Sequence, residues 1–115
     1  MSKTFSICLL TTAFVALLEE ESLHRRNVKS LRSAIMARSR CPIELMRKVI
    51  DVMGYRGITI AYGQTETAPV LTQSSLTDSI EVRVQTVGGP LPGVEIRIAD
   101  AASVKDLPDG QRGEL

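Results

Sequence analysis

Tyr62-Gly63-Gln64-Thr65-Glu66 packs the most chemistry into the least space in this 115-residue chain. An aromatic ring can cover a planar group. Gly63 lets the backbone turn sharply and come close to a ligand. Gln64 and Thr65 offer amide and hydroxyl hydrogen bonds. Glu66 offers a hard anionic oxygen suited to Mg²⁺. The set suits a nucleotide and its metal. It also suits an ordinary polar loop after a strand, and the spacing leaves both readings open.

The elements that must position this run can be read on its N-terminal side. Gly57-Ile58-Thr59-Ile60-Ala61-Tyr62 is a β-rich stretch that delivers it. Ahead of that, Ile43, Met46, Val49, Ile50 and Met53 recur at spacings of three and four, which predicts a helix with one apolar stripe. Arg47, Lys48 and Asp51 form its wet face. Pro42 suits the first helical position, and Glu44 complements the dipole in the first turn. Gly54 is the expected left-handed stop. Leu31–Ala37 (LRSAIMA) is a short apolar run, expected to be a strand buried on both faces. Strand, helix and strand make a βαβ unit over residues 31–67, with parallel strands and a right-handed crossover. In open parallel sheets ligands bind beyond the carboxyl ends of the strands. Two segments fall there: Arg38-Ser39-Arg40-Cys41 and Gly63-Gln64-Thr65-Glu66-Thr67.

Composition narrows the function classes. A hydrophobic fraction of 43% and a charged fraction of 23% are those of a globular chain. Lys and Arg total 14 against 13 Asp and Glu, so binding of nucleic acid through bulk positive charge is excluded. Two cysteines, Cys8 and Cys41, cannot form a disulfide scaffold or a four-ligand zinc site. His24 is the one histidine and falls in the basic connection His24–Lys29, where catalysis is not expected. The apolar stretch Phe5–Leu18 follows Lys3 and precedes Glu19-Glu20-Glu21. It has the outline of a short signal peptide, but Thr4, Ser6, Thr11 and Thr12 interrupt it and no clear small-residue cleavage site follows. It also falls short of the roughly 18 apolar residues of a membrane span. A core helix with Leu10, Phe14, Leu17 and Leu18 at helical spacing, preceded by a short strand, fits it better.

Four blocks in order resemble the adenylate-forming superfamily, which includes acyl-CoA synthetases, luciferases and peptide-synthetase adenylation domains. YGQTE is similar to its YGxTE motif. LRSAIMARSRCPIELMRKVIDVMG looks like the preceding segment of fatty acyl-CoA synthetases, especially the medium-chain type. TVGGPLPGVEIRIAD with LPDGQRGEL looks like the following segment, and FVALLEEE like the upstream helix. The resemblance implies an α/β fold: a partial parallel sheet with the βαβ unit, then the start of a β-barrel-like antiparallel subdomain over 88–115. It implies carboxylate activation by ATP to acyl-AMP, then thioester formation with coenzyme A. It places Ala61, Tyr62, Gly63, Gln64 and Thr65 at the nucleotide, with Tyr62 stacked on adenine and Thr65 on the α-phosphate. Glu66 becomes the Mg²⁺ ligand, and Thr65 and Glu66 the catalytic pair. The implied setting is the cytoplasm or an organelle matrix, and the implied substrate a small carboxylic acid.

The chain departs from that pattern at identifiable places. Arg38-Ser39-Arg40 stands where the family usually has Gly-Ser/Ala-Pro, and Gly88-Gly89-Pro90 where it has Gly-Arg-Pro or Gly-Lys-Pro. Leu9-Leu10-Thr11-Thr12 replaces an aromatic-Gly-x-Pro segment. The family's phosphate loop, its ribose-binding aspartate and its C-terminal domain with the catalytic lysine have no counterpart here; Lys105 does not match that lysine. The expectation is an internal slice of a large domain, inactive alone and prone to self-association or to complementation by the missing segments. A non-catalytic remnant or interaction module is the alternative, and a small secreted protein a third reading. Toward the C-terminus, Ala68–Thr77 is expected to be loop. Residues 80–84 alternate like a strand, whereas the resemblance suggests a short helix or an irregular segment, and the run stays unassigned. Gly93–Ile98 alternates like a strand with one wet face, Leu107-Pro108-Asp109-Gly110 signals a turn, and Arg112–Leu115 would return antiparallel.

Overall fold

The structure is a computed structural model that describes residues 5–20, 22, 30–55, 57–67 and 69–115. The basic connection His24–Lys29 lies outside the described residues, as does Ala68. The first described elements are β1 (Phe5–Leu10) and α1 (Thr11–Glu19), a short strand and a core helix as expected, except that Leu10 ends the strand and is exposed rather than joining the helix stripe. Next come β2 (Leu31–Ala37), α2 (Ile43–Met53) and β3 (Gly57–Tyr62). A 3₁₀ turn (Thr65–Thr67), β4 (Thr72–Gln73), α3 (Ile80–Gln85) and β5 (Gly89–Pro90) complete the order.

One five-stranded sheet runs β1-β2-β3-β4-β5. Its first three strands are parallel: Cys8 pairs with Ile35, and Met36 with Ile60. The last two are antiparallel, with Ala61 opposite Gln73 and Thr72 opposite Pro90. Parallel strands joined through α2 are what a βαβ pattern dictates. The antiparallel extension was hidden in a Ser/Thr-rich stretch that reads as loop. β4 is two residues long, and side chains hold it more than periodicity does. Gln73 Nε2 donates to Thr59 Oγ1 at 2.7 Å, and Ser74 Oγ accepts the Ile60 N–H at 2.9 Å.

The core lies between the helices and one sheet face. Phe14 of α1, Met46, Val49 and Met53 of α2, and Tyr55 pack on Ala34, Met36 and Ile58. The α2 stripe read from the sequence is therefore the buried one, and Gly54 ends the helix at φ 72°. Pro42 is one position earlier than expected. It is the N-cap, with extended dihedrals, and its carbonyl accepts the Met46 N–H at 3.2 Å. The strand buried on both faces is β3, where Ile58, Thr59, Ile60 and Ala61 are all buried. In β2 only Ala34 and Met36, two residues apart, are fully buried, so its core side is a single face.

Residues 80–85 form a helix although they alternate like a strand. Ser79 caps it, accepting the Val82 N–H at 3.3 Å. The helical turn carries Arg83 inward and leaves Val82 exposed. An exposed ion pair, Arg47 to Glu81 at 3.0 Å, joins α2 to α3.

The C-terminal segment keeps the alternation read from its sequence but not the strand. Val94, Ile96 and Ile98 are half-buried while Glu95 and Arg97 are exposed. A strand needs a partner ladder, and the pairing here is limited to isolated antiparallel bridges of Ala99 with Asp106 and Glu114. The turn after Leu107 forms as read, with Gln111 N–H donating to the Pro108 carbonyl at 3.2 Å. The return toward Leu115 is antiparallel at the Glu114 bridge, where Ala99 and Glu114 exchange two hydrogen bonds of 2.8 Å.

Candidate functional site

β2 and β3 end side by side, and a cleft of about 310 Å³ opens at their carboxyl ends. Three segments line it: residues 38–41 after β2, 60–63 at the end of β3, and 84–87 from α3 into the following loop. Of the two segments singled out by the strand-end rule, Arg38–Cys41 lines this cavity throughout, whereas the second contributes Gly63 alone. The volume lies at the lower end of the roughly 300–1,000 Å³ typical of ligand pockets. Ile60, Ala61, Val84 and Val87 give it apolar walls, and Arg38 and Arg40 its charge.

Ala61, Tyr62 and Gly63 reach this cleft. Tyr62 is half-buried, and its backbone carbonyl accepts the Leu71 N–H at 2.8 Å. Gly63 is needed for a close approach, but to the chain itself: a Cβ there would collide with the Pro69 carbonyl and crowd Val70. Gln64, Thr65 and Glu66 do not line the cleft. They lie on the exposed 3₁₀ turn just past it, which closes with Thr67 N–H and Oγ1 both donating to the Gln64 carbonyl. Among the described residues no cluster of three or more His, Cys, Asp or Glu side chains could hold a metal ion.

The third wall was not singled out in the sequence, where residues 80–84 alternate like a strand but stay unassigned. Two interactions fix it. Thr72 Oγ1 donates to the Val87 carbonyl at 2.6 Å. Arg83, only 7% exposed, donates to three backbone carbonyls: Ile58 at 2.9 Å, Asp78 at 2.9 Å and Leu76 at 2.6 Å. The one available signal was an arginine in an apolar alternating run.

Cys41 is the buried member of the first wall. Its Sγ donates to Met36 Sδ at 3.4 Å. Burial pushes its thiol above the ordinary value, partly offset by a backbone hydrogen bond from Met46. It stays protonated near neutrality and acts as packing. The loop itself is strained: Arg38 has φ 74°, a left-handed conformation that favours glycine.

Comparison with known proteins agrees with this architecture. The AMP-binding enzyme family matches residues 2–115. YngI of Bacillus subtilis (strain 168), a provisionally named acyl-CoA synthetase, is 43% identical over 90% of this chain and 19% of its own length. The mitochondrial medium-chain acyl-CoA ligase ACSF2 of Danio rerio is 36% identical over 90% of this chain and 17% of its own. Among solved structures, the anthranilate CoA ligase AuaEII superposes with a TM-score of 0.79 at 23% identity, over 94% of this chain and 20% of that one. The amide bond synthetase McbA of Marinactinospora thermotolerans gives 0.76 at 26% identity, over 92% and 21%. The chain spans about a fifth of the length of these relatives. The parallel sheet, the strand-end cleft and the match over residues 2–115 make this chain a member of the AMP-binding enzyme family, with acyl-CoA synthetases and ligases among its relatives.

Proposed function

We propose that this chain carries the nucleotide-facing part of an ATP-dependent, AMP-forming acyl-CoA ligase. A carboxylate oxygen attacks the α-phosphorus of ATP and pyrophosphate leaves; the coenzyme A thiol then attacks the acyl carbon and AMP leaves. The observation that carries the reading is the cleft where the YGQTE run leaves β3, in a chain belonging to this family. Tyr62 and Ala61 offer the base a flat, apolar surface, and Gly63 keeps the following loop folded back on Pro69. Gln64 and Thr65 stand on the adjoining turn as donors to phosphate.

Glu66 is a single exposed carboxylate. That fits Mg²⁺, which is commonly held by one or two carboxylates with substrate phosphates and water filling the other positions. Bound there, the ion would offset charge repulsion between a carboxylate and a polyphosphate.

Calorimetric titration with ATP and Mg²⁺ tests the reading. Saturable binding is expected, and Tyr62→Ala weakens it about tenfold, the worth of one base-stacking contact. Absence of binding by the folded chain overturns it. ATP–pyrophosphate exchange with fatty acids is expected to be absent from this chain alone. Exchange abolished by Glu66→Gln would refute that expectation.

A further inference from the structure

Two arginines enter the cleft from the loop after β2, and the base-stacking surface of Tyr62 and Ala61 does not require them. Arg38 and Arg40 are both exposed and both line it. Among the described residues no acidic side chain lines it and neither arginine makes an ion pair. The same loop leads into α2, whose N-terminus has no side-chain cap, so its first N–H groups add positive potential there. Glu44, the acidic residue of that first turn, is outside the cleft lining. Arg38 holds its place with a left-handed backbone that glycine would adopt more easily. Backbone strain of this kind clusters at binding and catalytic sites.

We propose that Arg38 and Arg40 form a phosphate seat, so that this cleft selects phosphorylated nucleotides over nucleosides. The seat rests on the nucleotide reading above and deepens it. Guanidinium groups suit the role because their planar forks match phosphate oxygens two at a time. Tyr62 and Ala61 are left to take the base.

The test compares ATP, adenosine and inorganic pyrophosphate by calorimetry on the full chain at two salt concentrations. ATP should bind at least tenfold tighter than adenosine, and the difference should shrink as salt rises. Each of Arg38→Gln and Arg40→Gln should weaken ATP about tenfold, as expected for one charge-assisted hydrogen bond, and leave adenosine unchanged. Arg40→Lys should restore part of the loss. Pyrophosphate should compete with ATP in the parent chain and not in the double variant; competition that survives in the double variant overturns the seat. Arg38→Gly separates role from folding: it should raise the melting temperature while weakening ATP. Equal affinity for ATP and adenosine, unmoved by the arginine variants, overturns the phosphate seat and leaves the nucleotide cleft standing. Failure of all three probes to bind the folded parent chain overturns both readings.

Discussion

Replacing Arg83 by Met removes the guanidinium while keeping an unbranched side chain of similar reach. The structure sets the consequence. Three backbone carbonyls, from β3 and from two points in the 74–79 segment, lose the donor they share. A hydrogen bond to a charged group is worth roughly 1.5–3 kcal/mol net. Three do not simply add, because burying a guanidinium itself costs several kcal/mol, which Met escapes. The loss should therefore be about 3 kcal/mol, dominated by carbonyls left without a partner. For a chain of 115 residues that corresponds to a fall of roughly 10 °C in melting temperature. Urea denaturation followed by far-UV circular dichroism measures it. Tyrosine emission is a second probe, since the chain has two tyrosines and no tryptophan. Lysine at the same position should recover less than half, because one ammonium cannot span carbonyls that come from three sites. A loss below about 0.5 kcal/mol for Arg83→Met would refute the reasoning, and would mean that water satisfies those carbonyls.

Gly63→Ala places a Cβ against the Pro69 carbonyl and should destabilise the chain by about 2 kcal/mol through forced movement of the 69–70 backbone, read by the same denaturation. An unchanged midpoint would show that the loop shifts freely. Burial raises the pKa of both Cys41 and Tyr55. A raised folded-state value means that the folded form resists losing the proton. Stability is then full below the ordinary thiol value of 9.0 and falls as pH climbs through the raised values. Melting temperatures from pH 7 to 11 should decline above about 9, and Cys41→Ala should soften the first part of the decline. A profile flat to pH 11 would contradict the burial of both groups. The exposed Arg47–Glu81 pair should matter little: Arg47→Ala is expected to cost below about 0.5 kcal/mol.

Some of this architecture was legible from local pattern. The α2 stripe repeats every three to four residues and ends at a glycine, so both the helix and its buried face could be read. β2, β3 and the position of the YGQTE run at a strand end were legible because each strand is a short, nearly continuous apolar or β-branched run. The alternation of Val94, Ile96 and Ile98 correctly marked which side chains turn inward, yet it implied a strand that did not form. Alternation reports which residues are apolar, whereas a strand requires a neighbouring backbone to pair with.

What the amino-acid sequence determined by itself was the helix α2, the strands β2 and β3 and the turn after Leu107, together with the chemistry available in YGQTE. The tertiary structure alone decided the rest. It brought residues 38–41, 60–63 and 84–87 around one cleft and left Thr65 and Glu66 on the turn beside it. It also turned the strand-like run at 80–85 into a helix that buries Arg83. The physical reason lies in distance along the chain. Periodicity and caps act within a few residues, but the Arg83–Ile58 hydrogen bond spans 25 positions, and a buried cation is tolerated only where such remote carbonyls converge.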